Sequence, residues 1–97
     1  MDKIITIQDI KDAVNIVAPK YDLKKVILFG SYATGKNTQN SDVDLLVEFN
    51  DESIVSLFTI SGLQYDLEEI TGKNVDVIPL TAELYFDVVR EVLLYGA

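Results

Sequence analysis

Two aspartates at the start of an apolar segment, Asp42 and Asp44, are the residues best suited to do chemistry in this sequence. Side chains alternate between the faces of a β-strand, so both carboxylates would project from the same side, with Cα atoms about 6 to 7 Å apart. Asp is depleted in strands because it hydrogen-bonds its own backbone instead. Such a pair suits Mg²⁺, which is usually held by one or two carboxylates together with substrate phosphates. We therefore predict a metal site at Asp42 and Asp44.

Gly30-Ser31 follows the apolar segment Val26–Phe29 directly, and ten residues separate it from Asp42. A strand that leads into Gly-Ser and a helix start offers unpaired backbone N–H groups to phosphate oxygens. Gly30 allows the backbone to approach a ligand closely, and Ser31 adds a hydroxyl donor. This segment is the predicted nucleotide-binding element.

A third acid, Asp76, is the single charge in the later apolar segment Val75–Ile78. Two metal ions about 3.5 to 4 Å apart can clamp the attacking and leaving oxygens of an in-line displacement. We expect Asp42 and Asp44 to share both Mg²⁺ ions. Asp76 is expected to hold the catalytic ion and to accept the proton of the acceptor hydroxyl. Plainer interpretations remain open: the first pair could be a solvated strand face, and Asp76 could keep an exposed strand soluble.

The composition excludes several classes of site and partner. The 97 residues include no Cys and no His, which removes disulfides, thiolate metal sites and the usual zinc ligand. Sixteen acidic against eight basic residues give a net charge of −8, which disfavours a nucleic-acid partner. The sequence shows neither an apolar run of about 18 residues nor a basic-then-apolar leader, so no membrane partner is expected and the predicted location is cytoplasmic. The length predicts one domain, residues 1–97.

The elements that must position these residues follow from apolar periodicity and turn signals. They alternate as αβαβαβα, which predicts an α/β fold with a small mixed sheet of three strands or slightly more, flanked by helices. Gly62 falls inside the third helix and is expected to mark close packing against the sheet. In chain order we predict a helix from Thr6 to about Pro19, strand Val26–Phe29, a short helix Ser31–Thr34, strand Asp42–Phe49, a helix capped within Asn50–Ser53 and ending at Thr71, strand Val75–Ile78, and a last helix starting at Thr81 and including Val92 and Leu93.

With these residues placed, the chain resembles a minimal nucleotidyltransferase of the DNA polymerase β-like superfamily. The family pattern is Gly-Ser, about ten residues, Asp-x-Asp, and a third acid on a later strand; here it is carried by Gly30-Ser31, Asp42-Val43-Asp44 and Asp76. The resemblance implies Mg²⁺-dependent transfer of AMP from ATP. Family members often carry a basic residue shortly after Gly-Ser, where this chain has Thr34. Lys36, in the following loop, is expected to supply the phosphate contact instead.

The resemblance also implies a biological role. Stand-alone domains of this size commonly act as antitoxins that adenylylate a tyrosine of a HEPN ribonuclease toxin. One alternative is a module that neutralises the toxin by binding and occlusion, without transfer. Another is a transferase for a small molecule, which fits less well because such enzymes usually need an extra domain to hold the acceptor. Apolar and aromatic residues of the predicted last helix offer a docking face for the partner: Tyr85, Phe86, Leu94 and Tyr95.

Overall fold

A four-stranded mixed β-sheet forms the centre of the molecule. The computed structural model describes residues 5–80 and 92–96. Within them the strands lie in the order β3-β2-β1-β4. The elements are α1 (Ile7–Tyr21), β1 (Leu23–Phe29), α2 (Ser31–Thr34), β2 (Val43–Phe49), a short 3₁₀ helix (Glu52–Ile54), α3 (Leu57–Thr71), β3 (Val75–Pro79) and β4 (Val92–Tyr95). The predicted α/β fold with a small mixed sheet is confirmed.

Strand directions follow from the connections. β1 and β2 are antiparallel neighbours, and α2 with the loop after it joins them. β2 and β3 run parallel, so the chain must return along the sheet between them, and α3 makes that return. β4 pairs antiparallel with the other side of β1. The two strands that flank the Gly-Ser and Asp-x-Asp motifs are therefore the central strands.

One face of the sheet carries the main hydrophobic core. Val43, Leu45 and Val47 of β2 are each at most 1% exposed and belong to the same cluster as Val14 of α1 and Leu63 of α3. Because side chains alternate along a strand, the residues between them project from the opposite face. That alternation is what directs the acids of the Asp-x-Asp motif away from the core.

The third helix begins later than predicted. We expected its cap within Asn50–Ser53, but Asp51 caps the 3₁₀ helix there by accepting a hydrogen bond from the Ser53 amide at 3.0 Å. The cap of α3 is Ser56, which exchanges hydrogen bonds with Thr59 in a capping box. Thr replaces the usual Glu or Gln of that motif, which hides the signal in the sequence.

Gly62 packs closely, but against α1 and not against the sheet as we expected. A Cβ at this position would lie 3.1 Å from the Tyr21 hydroxyl oxygen. That hydroxyl donates to Asp66 Oδ2 at 2.6 Å, and Lys20 Nζ reaches the same oxygen at 2.8 Å. Gly62 thus leaves room for a polar cluster that joins the end of α1 to the middle of α3.

The prediction that the last helix includes Val92 and Leu93 is wrong. Val92 and Leu93 lie in β4, and residues 81–91, with Thr81, Tyr85 and Phe86, lie outside the described residues. A short apolar run such as Val92–Tyr95 fits a helix or a strand equally by periodicity, and here it pairs with the free side of β1. The proposed docking face also loses a member, since Leu94 is 2% exposed and lies in the core. In the described ranges, no helix combines the length and apolar character required to span a bilayer.

Candidate active site

Two acids of the sequence motif are direct neighbours on the adjacent strands β2 and β3. Asp44 is the register partner of Phe29 in β1 on one side and of Asp76 in β3 on the other. Partners in register project from the same face of a sheet, so two carboxyl groups distant in the sequence become direct neighbours. The structure therefore brings Asp44 and Asp76 together, as the sequence predicted.

Gly30 lies directly beneath the Asp44 carboxyl. Its φ of 77° and ψ of −153° fall in a region that is essentially reserved for glycine. A Cβ at Gly30 would overlap Asp44 Oδ2 and lie 3.2 Å from Asp44 Cγ. The glycine thus turns the chain from β1 into α2 and also allows the backbone to pass under the carboxylate.

Ser31 has a side chain that is available to a ligand. It is half-buried, and among the described residues its hydroxyl has no hydrogen-bond partner. Its carbonyl accepts from the Thr34 hydroxyl at 3.2 Å and from the Lys36 amide at 3.0 Å. Thr34 is therefore bonded within its own helix, while the exposed Lys36 side chain makes no ion pair with a described residue.

Asp42 is held by a tight turn just before β2. In that turn the Ser41 amide donates to the Thr38 carbonyl at 3.0 Å, and the Thr38 amide donates to the Ser41 hydroxyl at 2.8 Å. Asp42 itself is exposed. Its charge raises the pKa of the Tyr32 hydroxyl, after burial as the larger cause, so its carboxylate lies near α2 as well as near Asp44.

The pKa of the Asp44 carboxyl is raised by burial and by the charges of both other acids. Burial raises the pKa of its carboxyl above the ordinary value, and the negative charges of Asp76 and then Asp42 raise this pKa further. Like charges gathered in one place make the ionised form of the central member costly. A cation placed among them would remove that cost.

Lys73 is a residue that our sequence reasoning missed. Its side chain is 8% exposed, and its ammonium donates to the Gln39 carbonyl in the loop before Asp42. The two residues border a polar cleft of about 270 Å³ that Asp42 also lines. Among the described residues no carboxylate pairs with this ammonium. A lysine between a helix end and a strand start carries no sequence signal for this contact, since it depends on how the loop folds back.

The donor set fits Mg²⁺ in kind. Within the described ranges no three Asp, Glu, His or Cys side chains are gathered tightly enough to hold a metal ion. The neighbouring pair Asp44 and Asp76 nevertheless offers hard carboxylate oxygens, and Mg²⁺ is commonly bound by one or two carboxylates with substrate phosphates completing its shell. The three-acid metal site of the sequence analysis stays a prediction.

Comparison with known proteins places this constellation in a family. The nucleotidyltransferase domain family matches residues 10–96, which covers both central strands, the Gly-Ser turn and all three acids. The chain belongs to that family. It is 39% identical over 74 residues to a protein of Methanocaldococcus jannaschii provisionally named a protein adenylyltransferase, an alignment that covers 76% of this chain and 77% of the relative. It is 35% identical over 77 residues to the protein adenylyltransferase MntA of Thermococcus cleftensis, with 76% of each chain covered.

Solved structures share the fold of this nucleotidyltransferase. A crystal structure of a toxin–antitoxin complex with AMP-PNP matches with a TM-score of 0.75 and 22% identity, over 90% of this chain and 73% of the other. The MNT antitoxin complex with tri-AMPylated Shewanella oneidensis HEPN toxin matches with a TM-score of 0.69 and 20% identity, over 93% and 72%. The predicted superfamily and the predicted enzyme class are confirmed by the family match and the named relatives.

Proposed function

We propose that this nucleotidyltransferase transfers AMP from ATP to a hydroxyl of a HEPN toxin and thereby neutralises it. The observation that carries the proposal is the Asp44–Asp76 pair, adjacent in register above the Gly30 turn, in a member of this family. A relative at 35% identity is named a protein adenylyltransferase, and structural neighbours include an MNT antitoxin bound to a tri-AMPylated HEPN toxin. A tyrosine is the expected acceptor, and the cytoplasm, where ATP is plentiful, is the expected location.

Each residue has an assigned task in this proposal. Gly30 and Ser31 bind the nucleotide phosphates: Gly30 gives close access to the backbone, and the Ser31 hydroxyl, which has no partner in the described ranges, donates. Lys36 is the proposed cationic contact from the loop. Asp42, Asp44 and Asp76 would hold two Mg²⁺ ions, which supply charge neutralisation at the phosphates and lower the pKa of a bound hydroxyl.

The transfer exchanges one bond to the α-phosphorus for another. The acceptor oxygen forms a bond to the α-phosphorus while the bond from that phosphorus to the α–β bridging oxygen breaks, and pyrophosphate leaves with the bonding electrons. The proton of the acceptor passes to a carboxylate. Asp76 is the proposed base, because it is exposed at the mouth of the site, whereas Asp44 is half-buried above Gly30. A tyrosine hydroxyl has a pKa near 10, so this help is needed at neutral pH.

Intact mass spectrometry of the partner tests this function. The protein is incubated with Mg²⁺, ATP and a candidate HEPN toxin, and we expect the toxin's mass to rise by one or more AMP groups. Asp44→Asn, Asp76→Asn and Ser31→Ala should each stop the increase. Glu69→Gln, the same kind of change at an exposed acid of α3 outside the site, should leave it unaltered.

Occlusion without transfer is the second candidate, and Thr34 favours it. A basic side chain is expected there, yet the Thr34 hydroxyl is bonded to the Ser31 carbonyl within α2. In this case the toxin would be neutralised with no change in mass, and Asp44→Asn would neutralise it as well as the wild type. That pair of results would replace the transfer proposal.

A further inference from the structure

The outer side of β3 is hydrogen-bonded by side chains of α3 in place of a strand. β3 lies at the edge of the sheet. The Val75 amide donates to Glu68 Oε2 at 3.0 Å, and the Val77 amide donates to Gln64 Oε1 at 2.9 Å. Gln64 and Glu68 are four residues apart in α3 and so lie on the same side of the helix. The two acceptors match the spacing of alternate residues along the strand.

The inner side of β3 is bonded to β2 in the ordinary way. The Val43 amide donates to the Asn74 carbonyl at 2.9 Å, and the Leu80 amide donates to the Val47 carbonyl at 2.8 Å. Backbone groups alternate direction along a strand, so the groups of Asp76 face β2 while the amides of Val75 and Val77 face outward. Asp76 is therefore bracketed by two amides whose acceptors come from α3.

We propose that Gln64 and Glu68 are positioning residues for Asp76. Their hydrogen bonds to the outer side of β3 fix the position of that strand relative to β2. The Asp76 carboxyl is thereby held beside that of Asp44. This inference rests on the proposed function only because that function makes Asp76 a metal ligand and the base. An edge strand is otherwise the part of a sheet that opens most easily. Val75 and Val77 are 2% and 6% exposed, so water does not readily replace a lost acceptor at their amides.

Two kinds of substitution separate the effect of losing the hydrogen bond from the effect of changing the side chain's size or charge. Glu68→Met and Gln64→Met keep the length of each side chain and remove its acceptor. Glu68→Gln and Gln64→Glu keep an oxygen in place while they change the charge. Glu69→Met, at the neighbouring exposed position of α3, is the matched control. The full chain is used throughout, well below its melting temperature.

The first measurement is amide hydrogen exchange by NMR, which needs no enzymatic activity. We expect Glu68→Met to accelerate exchange at Val75, and Gln64→Met at Val77, about fivefold as the loss of one hydrogen bond implies. Amides of the central strands, such as Ile27 and Leu46, should be unchanged. Unchanged exchange at Val75 and Val77 would overturn the proposal, because the bonds would then not exist in solution.

The second measurement is the affinity for Mn²⁺, followed by its electron paramagnetic resonance signal, together with the Mg²⁺ dependence of AMP transfer. We expect both Met variants to weaken Mn²⁺ binding and to raise the half-saturating Mg²⁺ concentration about fivefold, with the transfer rate recovered in excess Mg²⁺. The acceptor-retaining variants and Glu69→Met should match the wild type.

Two results would distinguish this inference from the function on which it builds. Faster exchange with unaltered metal affinity would reduce Gln64 and Glu68 to a structural role and overturn the inference. If the wild-type protein transfers no AMP, the proposed function is overturned. If the Met variants nevertheless bind Mn²⁺ more weakly than the wild type, the positioning role is still supported.

Discussion

Asp44 is the residue at which burial and like charge act together. Asp76 is its register partner on β3, and the charge of Asp42 also acts on it. The backbone of Gly30 passes beneath its carboxyl group. Its ionised form is therefore costly in the folded chain, and the function we propose uses that cost, because a cation or a proton relieves it.

The first prediction concerns stability without metal. The folded pKa of Asp44 is raised from 3.8, so the native state binds more protons than the unfolded state just above that pH. Stability from this group is thus fully present below pH 3.8 and is lost as pH rises through the folded pKa. We expect Asp44→Asn to be at least as stable as the wild type at neutral pH in metal-free buffer, with the difference shrinking in acid. Urea titrations at several pH values measure this, and a mutant that is less stable at pH 7 would contradict it.

A second prediction separates the contact at Gly30 from backbone strain. Gly30→Ala adds a Cβ that overlaps Asp44 Oδ2, whereas Gly35→Ala, at the same φ of 77°, meets nothing within 4 Å. Strain of about 1 to 3 kcal/mol is expected for a non-glycine residue in such a conformation. We expect both variants to lose stability in thermal melts. Only Gly30→Ala should also lose AMP transfer, on the order of a hundredfold as a misplaced reacting group implies. Equal activity losses would show that the Asp44 contact is unimportant.

At the scale of the elements, the site depends on how the segments next to the strands are anchored. The turn Thr38–Ser41 precedes Asp42, and the buried ammonium of Lys73 holds the Gln39 carbonyl in that turn. α3 therefore reaches the site twice: through its bonds to β3 and through the lysine just after its end.

The third prediction removes this anchor. Lys73→Met keeps the length of the side chain and deletes the donor, so the loop before Asp42 is expected to be cut faster by protease. AMP transfer should fall about tenfold in kcat/KM, as the loss of one hydrogen bond to a charged group implies. Global stability should change by no more than about 1 kcal/mol, because a buried charge is removed along with its bond. Lys73→Arg, which retains a donor, should remain close to the wild type. A Lys73→Met protein with wild-type activity would remove Lys73 from the site.

Local patterns were sufficient to predict most of the fold and half of the site's geometry. The apolar runs and the Gly-Ser turn predicted β1, α2 and β2, although the expected strand start at Asp42 is wrong, because β2 begins at Val43 and Asp42 lies just before it. That Asp42 and Asp44 share a side stays a prediction. The neighbouring pair Asp44 and Asp76 was also predicted. The sequence did not predict that Val92–Tyr95 forms a strand. A four-residue apolar run forms a strand only when it can pair with an open sheet edge, here that of β1. The burial of Lys73 depends on a contact with Gln39, 34 residues away, which no local pattern contains.

Over the whole molecule, charge restricts the acceptor. The net charge is −8, and every phosphate contact with a nucleic acid would be made against a repulsive field. A protein partner can supply its own basic surface and deliver the hydroxyl to the site as a docked body.

The fourth prediction follows from this charge. With ATP labelled at the α-phosphate, we expect label on the HEPN partner and none on tRNA or an oligonucleotide, at both low and high salt. Ser31→Ala or Asp42→Asn should abolish the labelling, while Glu69→Gln should retain it. Efficient labelling of RNA by the purified protein, with none on a co-purifying protein, would overturn the choice of a protein acceptor.

The outer edge of β3 presents no free N–H donor to another strand. The amides of Val75 and Val77 are already bonded to α3, and the next outward-facing position is Pro79, which has no N–H to offer. A strand from a second copy would therefore meet no free donor at three successive outward positions. Exposed strand edges template aggregation and domain swapping, and this edge lacks the donors that such pairing uses. The missing donors therefore disfavour pairing of a second chain with the strand that carries the third acid.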